Sequence, residues 1–142
     1  MTAGDAAHRL FVYGTLMMPA VLHAVCERHF TQRPATLADF ARHRLRRRVY
    51  PAIIATPGAL TEGLLYEGLD AALWQRLDEW ESTLYSRQAV QVRDADGHLL
   101  GAQTYVLAPA HHQELETAAW SPQEFERLHL AAYLARWRTP RP

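Results

Sequence analysis

Strand-like runs that come in groups, rather than in regular alternation with helices, set the tightest limit on what this chain can fold into. Leu10-Phe11-Val12-Tyr13 is a short apolar run stopped by Gly14, and it reads as a buried strand. Pro19 suits the first turn of a helix over residues 20–28, with apolar Val21, Leu22 and Val25. Arg33-Pro34 predicts a break, 35–45 a strand, and 49–56 a β-branched strand ended by a turn at Pro57-Gly58. A strand resumes over 60–69, where Gly63 and Gly68 predict bulges or close packing. Asp70 is placed to cap a helix over 71–80. Beyond it, 88–93 alternates with Val90 and Val92 on one face, and Asp96-Gly97 turns the chain into 99–107 as a hairpin. Residues 108–119 read as a surface loop. Ser121-Pro122-Gln123-Glu124 combines capping-box spacing with proline at the first helical position, opening a last helix to about Trp137 before a tail over 139–142. The predicted fold class is therefore α+β, a largely antiparallel curved sheet or small barrel with flanking helices.

The 142 residues suffice for one domain, read as 1–142 with a core of about 9–137. A chain 49% hydrophobic and 21% charged is neither disordered nor fibrous. Fifteen basic residues balance fifteen acidic ones, which argues against a protein built wholly around nucleic acid. Every basic residue is Arg, so lysine Schiff-base chemistry is removed. The single Cys26 can form neither an internal disulfide nor a zinc cluster. No apolar run approaches the roughly 20 residues of a membrane span, and the polar N-terminus has no secretory core. A soluble, cytoplasmic protein is expected. Its charge is uneven: residues 1–48 hold eight Arg against three acids, and 49–142 seven Arg against twelve. Such a dipolar surface can steer an anionic small molecule or pair with itself.

The helix over 71–80 carries the most informative residue. Leu73, Trp74, Leu77 and Trp80 form an apolar stripe at helical spacing. Glu81 lies four residues after Leu77 and seven after Trp74, so one further helical turn sets a carboxylate on the edge of the buried face. Asp78 and Glu79 fall on or near the solvent side. Burial raises a carboxyl pKa and tunes it for general acid–base work. The alternative is a helix that stops at Trp80, leaving Glu81 as an exposed cap or as a partner of Arg87. The second feature is the corner Tyr13-Gly14-Thr15-Leu16 ahead of Pro19, where backbone amides at a glycine turn can hold an anion. It matches no dinucleotide or P-loop pattern.

These residues resemble a known family. Tyr13-Gly14-Thr15-Leu16 after Leu10-Phe11-Val12 is similar to the opening motif of the γ-glutamylcyclotransferase-like superfamily. Arg48-Val49-Tyr50-Pro51-Ala52-Ile53 resembles its AIG2-like branch, as does Leu77-Asp78-Glu79-Trp80-Glu81 followed by Tyr85-Ser86-Arg87. The resemblance runs in order from about Leu10 to Leu107. It implies a small mixed β-barrel with helices outside and a cavity at one end. Active relatives convert a γ-glutamyl amine or amide into 5-oxoproline and the freed amine, with no metal or cofactor. The family's catalytic Glu maps onto Glu81, the residue singled out by the stripe, and its substrate loop onto Tyr13 to Leu16. Tyr13 and Tyr105 become candidates for hydroxyl contacts, and Tyr85 for orienting the Glu81 region. Ser82 stands where many members have Gly or Asp, and Trp80 where Phe is usual. The partner expected is a small γ-glutamyl compound of unspecified leaving amine. A non-catalytic AIG2-like protein that binds a small metabolite is the alternative.

Other signals weigh less. Arg42, Arg44, Arg46 and Arg48 alternate, so a strand would present them as a solvated edge; nucleic-acid phosphates are the competing reading. His111-His112 and the pair His23 and His29 lack helical zinc spacing, so no metal site is expected. Ser82, Thr83 and Ser121 have no serine-hydrolase elbow. Cys26 reads as core, and Phe125, Leu128, Tyr133 and Trp137 as core or lid contacts.

Overall fold

The computed structural model describes residues 6–138, with side chains to residue 136. The first five residues, the expected tail over 139–142 and the Trp137 contact lie outside the described part. Five strands close into a barrel: β1 (Arg9–Val12), β2 (Gln32–Arg44), β3 (Pro51–Glu67), β4 (Tyr85–Asp94) and β5 (Leu99–Leu107). Their order around the barrel is β1-β3-β2-β4-β5. All neighbours are antiparallel except β5 and β1, which meet in parallel at Leu10 and Gln103, so the sheet is mixed. Four helices pack outside: α1 (Pro19–Cys26), α2 (Ala71–Glu81), α3 (Pro122–Leu128) and α4 (Leu130–Arg138).

The strand β1 shows why a barrel wrapped in helices was foreshadowed by an unbroken apolar run. Phe11 points into the barrel with Leu37, Ile53, Leu65, Val92 and Val106. Leu10 and Val12 point out, into a second apolar layer with Val21 and Leu22 of α1, Leu73 and Leu77 of α2, and Phe125 of α3. Both strand faces are thus buried. Gly63 lets β3 cross β1 closely, since a Cβ there would stand 2.2 Å from the Val12 carbonyl oxygen.

Two expected breaks are absorbed by the sheet. Pro34 lies inside β2, opposite Leu64, just beyond the short β2–β4 pairing at Ala35 and Thr36. One flank of the strand is open there, a place proline tolerates. Pro57-Gly58 does not end a strand: β3 runs through it, and the register with β2 shifts between Ala38 and Phe40. Gly58 (φ 84°) and Asp39 (φ 66°) take left-handed conformations, and the Gly58 amide donates to Asp39 Oδ1 at 2.9 Å. The punctuation encodes a bulge rather than a turn. The last helix is two, because the backbone leaves helical geometry at His129.

Local signals elsewhere hold. Asp70 accepts from the Leu73 amide at 2.9 Å and Ser121 from the Glu124 amide at 3.2 Å, each capping its helix. The hairpin at Gly97 turns with φ 88° while Asp94 Oδ1 accepts from the Asp96 and His98 amides. Among the described residues no helix is long and apolar enough to cross a membrane.

Candidate active site

Helix α2 buries Leu73, Trp74 and Leu77, and it does continue through Glu81. Ser82 then turns the chain sharply (φ 63°, ψ −163°), its amide donating to the Asp78 carbonyl. Glu81 is left half-buried on the wall of a cavity of about 580 Å³. Burial, with a smaller contribution from the Asp78 charge, pushes its pKa up to about 8. Arg87 does not neutralise it. The Arg87 Nε pairs instead with Asp78 at 3.2 Å, and its guanidinium lies over the Trp74 ring at 4.6 Å.

The corner after β1 lines the same cavity. Gly14 brings it against Pro51, whose ring carbons would stand 3.0–3.1 Å from an added Cβ. Each carbonyl of the corner is occupied. Arg42 Nη1 donates to Tyr13 O at 2.8 Å, and Tyr66 OH to Leu16 O at 2.9 Å. Met17 and Met18 amides take Gly14 O and Thr15 O as the 3₁₀ turn Thr15–Met17 begins. The amides of Gly14, Thr15 and Leu16 precede that first internal bond and meet no acceptor among the described residues.

Tyr13, Tyr85 and Tyr105 also line the cavity, but their hydroxyl protons are spent on the protein. Tyr13 OH donates to Tyr105 O at 2.6 Å, Tyr85 OH to Pro51 O at 2.6 Å, and Tyr105 OH to Asp78 Oδ1 at 2.6 Å. Burial first, then nearby acidic groups, raise all three phenols above their ordinary value. They stay neutral and brace the walls; their oxygens remain acceptors.

The sequence reading therefore placed Glu81, the corner and three tyrosines around one cavity, and missed other contributors. Asp78 is exposed, as its solvent-side position predicts, yet it joins Tyr105 to Arg87 and its charge acts on Glu81 one helical turn on. Its signal was the three-residue spacing to Glu81, which sets both acids on neighbouring rows. Tyr50, Tyr133, Arg48, Arg136 and His111 line the cavity too. The last two come from remote segments that carry no local motif. The arginine run is no bare edge. The loop after β5 bonds its backbone, Arg44 N donating to Ala118 O and Arg46 N to Glu114 O, and Arg42 is half-buried under the corner, while the Arg44, Arg46 and Arg48 side chains are exposed. Cys26 is buried and its thiol pushed up to about 11, as a core residue should be. Asp94, Asp96 and His98 stand together on the exposed hairpin turn, away from the cavity, with Asp94 engaged by the turn's own amides.

Comparison with known proteins agrees with this geometry. The family profile described as "Gamma-glutamyl cyclotransferase, AIG2-like" matches residues 10–124. AIG2-like protein D of Arabidopsis thaliana is 35% identical over 136 residues, covering 94% of this chain and 89% of that protein. A solution structure of an Arabidopsis thaliana protein superposes with a TM-score of 0.68 at 25% identity, covering 94% of this chain and 95% of that one. A structure of a gamma-glutamyl cyclotransferase superposes with a TM-score of 0.67 at 18% identity, covering 95% and 88%. The closed mixed barrel with flanking helices is thus of the γ-glutamyl cyclotransferase-like class. Within that class, the chain belongs to the γ-glutamyl cyclotransferase, AIG2-like family.

Proposed function

We propose that this protein is a γ-glutamyl cyclotransferase that releases 5-oxoproline from a γ-glutamyl amine or amide, with Glu81 as the acid–base group. One observation carries the reading: a carboxyl held near neutrality by burial shares a cavity of about 580 Å³ with a corner of undonated amides. That volume suits a small metabolite.

The reaction is intramolecular. The substrate's α-amine attacks its own γ-carbonyl, a five-membered lactam forms, and the bond to the departing nitrogen breaks. No enzyme nucleophile is needed. Folding the substrate so that amine and carbonyl meet supplies about 7–11 kcal/mol in favourable cases. Glu81 takes the proton lost by the α-amine and returns it to the departing nitrogen, so the carboxylate is regenerated each turn. A base with a pKa near 8 suits both halves, since it accepts from an ammonium and donates to an amide nitrogen without a large mismatch. The Gly14, Thr15 and Leu16 amides hold the α-carboxylate or the developing oxyanion. Tyr13, Tyr85 and Tyr105 fix the walls around them.

The test is Glu81→Gln, which keeps shape and removes the base. Pyroglutamate release from γ-glutamyl compounds, followed by mass spectrometry, should fall by at least about 10²-fold while the fold survives. A fully active Gln variant would assign the proton transfer elsewhere. A wild type that binds γ-glutamyl compounds without turnover would mark a metabolite-binding protein.

A further inference from the structure

The arginine run has one member that the surface does not keep. Strict alternation from Leu37 would turn Asp39 and Ala41 to the inner side of β2. The bulge at Asp39 adds a residue, so Phe40 joins Leu37 among the barrel's interior contacts. Arg42 follows Phe40 by two and stands opposite Ile53 of β3. Arg44, two further on, has reached the surface and pairs there with Glu124 at 3.3 Å. Arg42 stays half-buried.

Its surroundings fix it without neutralising it. Nη1 donates to the Tyr13 carbonyl at 2.8 Å and to the Glu62 carbonyl at 3.1 Å, and the guanidinium lies over the Trp120 ring at 5.5 Å. Trp120 is itself buried and anchored, its Nε1 donating to Val49 O at 2.7 Å. Among the described residues Arg42 forms no ion pair; its polar partners are two neutral carbonyls and the Met17 sulfur. Burial lowers its pKa, with the Glu62 charge opposing, and an arginine remains ionised nonetheless. A cation drawn out of water beside neutral partners acts strongly on whatever lies close to it.

What lies close is the corner. Tyr13 O belongs to the same peptide group as the Gly14 N–H. In a trans peptide the two point in opposite directions, so Arg42 holds the carbonyl from behind while the amide faces away from it. A donor on the carbonyl polarises the whole group and strengthens its N–H, and a charged donor does so most. The next two peptide groups are held likewise, but by neutral amides, Met17 N on Gly14 O and Met18 N on Thr15 O. Among the donors to the corner's carbonyls, Arg42 brings the one full charge.

We propose that Arg42 is a positioning residue that charges the Gly14 corner from behind and so gives its amides their hold on the substrate's α-carboxylate. This rests on the cyclotransferase reading and adds to it a residue that touches no substrate. A purely structural Arg42 would need the hydrogen bond to Tyr13 O and not the charge.

Two variants separate these roles: Arg42→Gln keeps a donor for Tyr13 O without the charge, and Arg42→Lys keeps the charge. Arg42→Gln should raise KM for γ-glutamyl-alanine about tenfold, while kcat, read from 5-oxoproline release, moves by less than about threefold. Arg42→Lys should return KM to within about threefold of the wild type. The inhibition constant of 5-oxoproline should rise with KM in Arg42→Gln, whereas that of 2-pyrrolidinone, the same ring without its carboxylate, should stay put. Comparing the two rings cancels any general loosening of the fold. An unmoved 5-oxoproline constant, equal weakening of both rings, a loss confined to kcat, or equal losses in both variants overturns the assignment while the cyclotransferase reading stands. A wild type that binds γ-glutamyl-alanine by calorimetry without turnover overturns the cyclotransferase reading alone; affinity lost in Arg42→Gln and kept in Arg42→Lys then still supports the role of the charge, and any other pattern overturns it. Neither binding nor turnover overturns both.

Discussion

Ser82 occupies a backbone conformation that side chains rarely adopt, with φ 63° and ψ −163°. Residues forced into this region cost about 1–3 kcal/mol, and glycine is spared most of that. The strain falls on the residue after Glu81, where the chain must stop a helix and enter the short turn Ser82–Leu84 within one residue. Ser82→Gly should therefore stabilise the protein by about 1 kcal/mol, read as a higher urea midpoint at unchanged m-value. Glu81 itself predicts a pH profile. In the proposed role the group acts as a base only when ionised, and burial delays ionisation to about pH 8. kcat/KM should rise with pH along a limb centred near that value, because this ratio reports the free enzyme. A limb near pH 4–5 would mean that the carboxyl is solvated like a surface Glu.

At the scale of the element, α2 delivers two acids one turn apart and gives them opposite environments. Asp78 is tied to Tyr105 and Arg87 at the helix surface, while Glu81 faces the cavity. The Asp78 charge raises the Glu81 pKa. Asp78→Asn preserves the acceptor for Tyr105 and removes the charge, so Glu81 should ionise more easily. The rising limb of kcat/KM should then move to lower pH, and an unmoved limb would show that burial alone sets the Glu81 pKa. Elements built by neighbours in sequence were readable in advance. The Asp70 and Ser121 caps, the stripe Leu73-Trp74-Leu77 and the Asp96-Gly97 hairpin depend on residues a few positions apart. The bulge of Asp39 against Gly58 was not, because it needs two strands already in register. The Arg48–Glu114 pair was not readable either. Arg48 meets Glu114 across 66 positions, and the motif that contains Arg48 says nothing of its partner.

For the whole molecule, closure of the barrel is the organising event. The β2–β3 and β4–β5 pairs are long hairpins, while β1 and β5 touch in register at a single pair, Leu10 and Gln103. Side chains complete that seam: Thr104 Oγ1 donates to Phe11 O at 2.9 Å, Tyr13 OH to Tyr105 O at 2.6 Å, and Arg9 Nη1 reaches Gly101 O at 3.4 Å. Thr104 is fully buried, so Thr104→Val strands a carbonyl and should cost about 1–3 kcal/mol. Amide hydrogen exchange should show β1 losing protection well before the β4–β5 hairpin; uniform loss across the barrel would place the weak point elsewhere. Such a ring behaves like a bracelet with a clasp. The links are made of backbone, but the fastening is a hydroxyl here and a phenol there, and the catch sits one residue from the Gly14 corner proposed to hold the substrate. Wear at the clasp would disarm the protein long before it fell apart.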